Sequence, residues 1–218
     1  MRELQRGDFM LNTHTLTANG THKEFNTVAE KIAAFLRGVT VPPVIAFMML
    51  TYFYFADAGV FRFFSEYALT VFFISVLPAL AYPFQYFVRN KFPGQEGKRT
   101  LAMIFSVTGY VLGVLSAFIM ESNTMLILIY LGYCISGALI LVLSKGVKFK
   151  ISGHAVGSAG PVAILMGFGQ WVWVFGIPVI LSVIYSSLKI KRHTKPQIIC
   201  GILQPFVVFM TLTSIVNI

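Results

Sequence analysis

Two histidines stand out in a chain otherwise poor in ionisable groups: His154 in "KFKISGHAVGSAGPVAIL" (148–165) and His193 in "SSLKIKRHTKPQ" (186–197). Histidine titrates near working pH, so one imidazole can act as a neutral nucleophile or base while another donates a proton. Each ring sits at or just before the start of an apolar run, and each is embedded in cations. Lys148 and Lys150 precede His154, and Lys189, Lys191 and Arg192 precede His193. Ionisable groups at a membrane edge are costly and are functional candidates by default. The local chemistry suits an oxyanion. Ser152 is an N-cap candidate followed by Gly153, which would aim free backbone N–H groups and the positive end of a helix dipole at a ligand. Thr194 is a second cap candidate, with Pro196 in the first turn. Two helix N-termini and a cluster of Lys and Arg make a phosphate-shaped environment. The plainer alternative is that histidines anchor helix ends and lysines attract anionic lipid headgroups, worth about 1 kcal/mol each. That explains the charge but not two histidines. His14 and His22, in the polar N-terminal stretch, are assigned no role.

The elements that must position these residues follow from composition. Of 218 residues, 56% are hydrophobic and 11% charged, with a mean hydropathy of +0.77; a soluble domain carries about 25% charged residues. The chain reads as an all-α integral membrane protein, a bundle of six to seven transmembrane helices with an N-terminal interfacial helix. Spans need about 20 mostly apolar residues, and they are expected at 40–57, 64–88, 100–120, 124–144, 154–169, 171–188 and 197–217. The fifth is short and rich in small residues, either a tightly packed span or a re-entrant piece. Residues 1–38 form a polar tail (1–24, without the apolar core of a secretory signal) and an amphipathic helix. Thr27 and Glu30 have capping-box spacing there, and Phe25, Val28, Ile32 and Phe35 or Leu36 recur at helical intervals. Residues 39–218 form the membrane domain. Cys134 and Cys200 read as buried small hydrophobes rather than a disulfide or metal site. Nucleic acid is excluded as a partner by the lack of a basic stripe interleaved with exposed aromatics.

With seven spans, the N-terminal segment and the loops at 89–99, 145–153 and 189–196 share one side. They hold sixteen of the seventeen Lys and Arg residues, leaving Arg62 on the other. By the positive-inside rule, the face carrying both histidines is cytoplasmic, in a multi-pass protein of the cell membrane.

The order of these pieces resembles the type-2 phosphatidic acid phosphatase superfamily. That family carries a Lys with a distant Arg-Pro, then Pro-Ser-Gly-His, then Ser-Arg with a His six residues on and an Asp four further. The second motif appears as Ile151-Ser152-Gly153-His154. The third appears as Ser186-Ser187, then His193, with Gln197 at the Asp position. The first is reduced to Lys91, Lys98 and Arg99 in "RNKFPGQEGKR". The resemblance covers residues 60–218. It implies that His193 takes the phosphoryl group and that His154 protonates the departing lipid alcohol and later activates water. Gln197 would orient His193. Lys91, Lys98, Arg99, Ser152 and Gly153 would hold the phosphate, with Lys150, Ser186, Lys189 and Arg192 as further candidates. It implies neither metal nor cofactor.

The expected function is therefore a metal-independent lipid phosphatase, hydrolysing a phosphomonoester or diphosphate of a lipid through a phosphohistidine. Its partners would be the lipid phosphate substrate and the surrounding membrane lipids. The losses at Ser187 and Gln197 leave two alternatives open: a non-catalytic member that binds a phospholipid or a partner, and a phosphoryl transferase in which an alcohol replaces water. A transporter is disfavoured, because no paired broken spans recur in corresponding halves.

Overall fold

The computed structural model describes residues 15–16, 22–23, 27–56 and 58–217. Apart from a two-residue antiparallel pairing of Thr15–Leu16 with His22–Lys23, the described residues form helices and their connections. Most of the expected polar tail lies outside the described residues.

Helix α1 (Val28–Val39) begins at the expected capping box, in which Thr27 Oγ1 accepts from the Glu30 N–H at 3.2 Å and the Glu30 carboxylate from the Thr27 N–H at 3.3 Å. Pro42 and Pro43 cannot donate backbone hydrogen bonds, so the helix cannot run on through them. They open α2 (Pro42–Phe55), bent by 47° from α1. At 14 residues, α2 falls short of the expected 40–57 span and of the roughly 17–25 residues needed to cross a bilayer. Together α1 and α2 pass as one broken span.

Five further stretches are long and apolar enough to cross a membrane. The first, Phe64–Val88, runs through α3 (Phe64–Val71), a π-helical turn (Phe72–Val76) and α4 (Leu77–Val88). The widened turn falls just before Pro78, whose missing N–H it accommodates. Glu96–Ile119 belongs to α5 (Gly94–Ile119), which starts six residues before the expected 100. Gly94 adopts a left-handed φ of +62°, and Glu96 sits in the first turn, where the helix dipole favours an acid. Thr124–Ser144 is mostly α6 (Thr124–Leu141). Trp171–Lys189 joins a 3₁₀ turn to α8 (Gly176–Lys189), and Lys195–Val216 is α9. Five such helices, or six with the bent pair, and an outer surface of exposed Phe87, Leu115, Val207 and Ile215 make this a membrane-embedded helical protein.

The fifth expected span, 154–169, is shorter than the others. Helix α7 (Gly153–Gly167) has only 15 residues and runs through the middle of the bundle, packed on α2, α8 and α9. Ala155, Val156, Ala159, Val162, Ala163 and Ile164 are all buried. Small residues allow this: a Cβ on Gly157 would lie 2.6 Å from the Pro42 ring, and one on Gly201 of α9 would lie 2.9 Å from the Ser152 carbonyl oxygen. The main core gathers around Leu50, Phe53, Ile74, Ile129, Tyr130 and Phe209. Cys134 is half-buried and Cys200 exposed, both free, so Cys200 is not the buried hydrophobe expected.

The 26 residues of α5 extend about 39 Å at 1.5 Å per residue. Beside its far end lies the isolated cation, Arg62, from the segment between α2 and α3. Arg62 pairs with the buried Glu66, which also accepts from the Arg62 N–H and from Ser122 Oγ at 2.6 and 2.8 Å. Arg62 further donates to the Met120 and Glu121 carbonyls, closing the turn after α5. Buried charge persists only when paired and hydrogen-bonded in this way.

Candidate functional site

At the near end of α5 the bundle encloses a cavity of about 730 Å³. Its polar wall includes Arg37, Lys98, Arg99, Lys150, Gly153, His154, Lys191, Arg192 and His193, with Glu96 as the carboxylate among them. Its apolar reach extends to Ile74, Met103, Tyr110, Ile140, Ile164 and Phe209. Cations from α1, α5, the segment before α7 and the α8–α9 loop thus converge on one cavity.

Two helix starts bring the histidines together. Ser152 caps α7 by accepting from the Ala155 N–H at 3.3 Å. Its own N–H donates to the Gln197 carbonyl at 3.2 Å, tying the start of α7 to the first turn of α9. His154 is the second residue of α7, and His193 lies two residues before α9 begins.

The hydrogen bonds assign a tautomer to each ring. Gln197 Oε1 accepts from the Thr194 N–H at 3.1 Å, which only the oxygen end of the amide can do. The same oxygen lies 3.2 Å from His193 Nδ1, so that nitrogen carries the hydrogen and Nε2 keeps its lone pair. Thr40 Oγ1 donates to the Leu36 carbonyl at 2.8 Å and has no second hydrogen to give. Its 3.2 Å contact with His154 Nε2 is therefore an Nε2–H donating to the hydroxyl, which leaves the lone pair on Nδ1. The two neutral rings thus hold opposite tautomers.

Burial pulls the His193 pKa down to about 4, with Arg37, Arg99 and Lys150 adding to the effect and the Gln197 hydrogen bond opposing it. At neutral pH the ring is unprotonated, the form a nucleophile needs. Burial likewise lowers the Arg192 pKa, against a small opposing contribution from Tyr82.

The other expected residues divide clearly. Lys98, Arg99, Lys150, Gly153 and Arg192 line the cavity beside the histidines. Arg99 donates to the Ile151 carbonyl at 3.2 Å and weakly to Ser144 Oγ at 3.4 Å, bracing the segment before α7. Lys150 pairs with Glu96. Ser152 and Ser186 are fully buried with their hydroxyls engaged, one as the α7 cap and the other donating to the Val183 carbonyl, so neither side chain is part of the cavity wall. Lys91 and Lys189 are exposed and outside it. Lys91 follows the end of α4 in an outward turn, and Lys189 closes α8. Gln197 meets the site through His193.

Arg37, Thr40 and Tyr82 escaped the sequence reading. Arg37 Nη1 donates to the buried Ser187 Oγ at 3.2 Å and lines the cavity. The available signal was its place in the last turn of α1, off the Val28–Ile32–Phe35 stripe, ahead of a Thr and two prolines.

Fold and site together define a helical, membrane-embedded protein with a cationic two-histidine cavity at one end of its bundle. No family model matches the chain, and no curated protein or solved structure matches it.

Proposed function

We propose that this protein is a membrane lipid phosphate phosphatase of the type its motifs resemble, hydrolysing a phosphomonoester or diphosphate on a lipid. One observation carries the reading: two histidines with opposite tautomers line one cavity rich in cations and share it with an apolar arm. The headgroup would meet the histidines, and the substrate's chain would lie along the apolar arm. His193 Nε2 attacks phosphorus as the bond to the lipid oxygen breaks, and protonated His154 delivers its proton to that oxygen. Water then attacks the phosphohistidine while neutral His154 takes the water's proton, the P–N bond breaks and phosphate leaves. Anion binding supplies the negative charge that favours protonated His154 among its cationic neighbours. Phosphoryl transfer rests on positioning and charge stabilisation, which a wall of Lys and Arg supports. On this reading the site faces the cytoplasm, consistent with the concentration of Lys and Arg around it.

A second reading, a lipid-phosphate binder without turnover, is favoured by one feature. Gln197 can orient His193 but cannot stabilise an imidazolium as a carboxylate does. Phosphate release from a panel of lipid phosphates, without added metal, separates the two. The phosphatase reading expects release by wild type, none by His193→Ala and severely reduced release by His154→Ala. Equal inertness of all three, with lipid binding retained, supports the binder.

A further inference from the structure

The cavity wall is completed from outside the set of five long spans. Arg37 belongs to the last turn of α1, and its guanidinium reaches over to Ser187 on α8 at 3.2 Å. Arg37 faces the cavity, and among the described residues no carboxylate pairs with it. The charged and titratable groups that act on it are Arg192, Tyr82, His154 and His193, and the carboxylate in the cavity wall, Glu96, is taken by Lys150. A partly buried guanidinium held among like charges is unfavourable unless something negative joins it.

The other cations are differently disposed. Arg99 is engaged with the Ile151 carbonyl and Ser144, and Lys150 with Glu96. Arg37 is also held in place with care. The α1–α2 joint is fastened to α7 twice, by the Thr40–His154 contact and by Ser158 Oγ donating to the Thr40 carbonyl at 3.0 Å. Ala33 of α1 packs against Ile190, just past the end of α8. A planar guanidinium so fixed matches two oxygens of a tetrahedral oxyanion, which an ammonium cannot do.

We propose that Arg37 grips the phosphate group directly, so that the N-terminal helix is a working wall of the anion site and not an appended membrane anchor. This rests on the anion reading of the cavity but not on turnover.

The test uses the full chain in lipid nanodiscs, with orthovanadate and inorganic phosphate as probes and calorimetry as the readout. Arg37→Gln keeps a donor for Ser187 and removes only the charge and fork. It is expected to weaken orthovanadate binding about 10- to 100-fold, as loss of a charge-assisted hydrogen bond does. Arg37→Lys keeps the charge and is expected to lose about 3- to 10-fold. Arg89→Ala, on the exposed end of α4, should bind within about twofold of wild type, as a surface change away from the site does. A second readout is the NMR titration of His193 in the free protein, whose midpoint should rise in Arg37→Gln and hold in Arg37→Lys. Wild-type binding in a folded Arg37→Gln protein, an unmoved midpoint, or failure of wild type to bind either anion overturns the proposal. Arg37-dependent orthovanadate binding without any phosphate release from lipids would sustain it while sinking the phosphatase reading. Release with unchanged KM in Arg37→Gln would do the reverse.

Discussion

Replacing Gln197 with Glu puts a carboxylate where a neutral amide now meets His193. The contact is 3.2 Å between Oε1 and Nδ1, and at that separation opposite unit charges attract by about 5 kcal/mol at an effective dielectric of about 20. The ring is only partly buried, so solvent trims that figure, and an adjacent opposite charge usually moves a pKa by about 1–3 units. From its present value of about 4, the His193 midpoint should climb to about 5–7. The carboxylate can still accept the Thr194 N–H, so the helix start survives. The assay is a ¹⁵N-histidine NMR titration in nanodiscs, using a background in which His14, His22 and His154 are replaced. If the protein is a phosphatase, the same change also stabilises the imidazolium side of the reaction. A charge-assisted hydrogen bond worth about 1.5–3 kcal/mol would raise turnover about 10- to 100-fold. A midpoint that stays near 4 would refute the pairing of His193 with residue 197 and the tautomer argument built on it.

Other outcomes follow from the same geometry. Thr40→Val keeps the shape but removes the acceptor for His154 Nε2–H, and should cut phosphate release from lipid phosphates. Glu66→Gln removes the charge from a buried carboxylate whose partner Arg62 is half-exposed, so solvent screening reduces the cost to about 1–3 kcal/mol; a drop in thermal midpoint with anion binding intact is expected. Gly157→Val forces a side chain against Pro42 and should destabilise the α2–α7 contact by about 1–3 kcal/mol, seen as earlier thermal unfolding. The pH dependence has a definite sign. His193 binds its proton at about 4 when folded and about 6.5 when unfolded. Its contribution to stability is therefore complete above about 6.5 and lost as pH falls toward 4. Thermal scans from pH 7 to pH 4 should steepen with wild type relative to His193→Asn.

The histidine pair was legible because its signals are local. Residue type and spacing gave Ser152 as the cap of the turn that carries His154, and the family resemblance pointed to Gln197, four residues beyond His193. Arg37 was invisible for the opposite reason. Its partner Ser187 lies 150 positions away, and α1, read by its own amphipathic stripe, gave no hint of what its last turn touches. Apolar composition also cannot tell lipid from protein. Residues 154–169 read as a tightly packed span or a re-entrant piece; α7 is a 15-residue helix whose small residues are turned to neighbouring helices. Likewise α5 begins before its apolar run does, which moves Lys98 and Arg99 from an expected loop onto a helix. Ser186 shows the limit of motif spacing: the position matches, but the hydroxyl is occupied within its own helix.

The most direct measurement follows both imidazoles at once. Orthovanadate is titrated into the ¹⁵N-histidine-labelled protein while the resonances of His154 and His193 are monitored. If the two rings share one oxyanion, both signals move together with a single 1:1 binding constant, and His193→Ala abolishes the shift at His154. If only one ring responds, or the two respond with separate constants, they do not serve a common phosphate site.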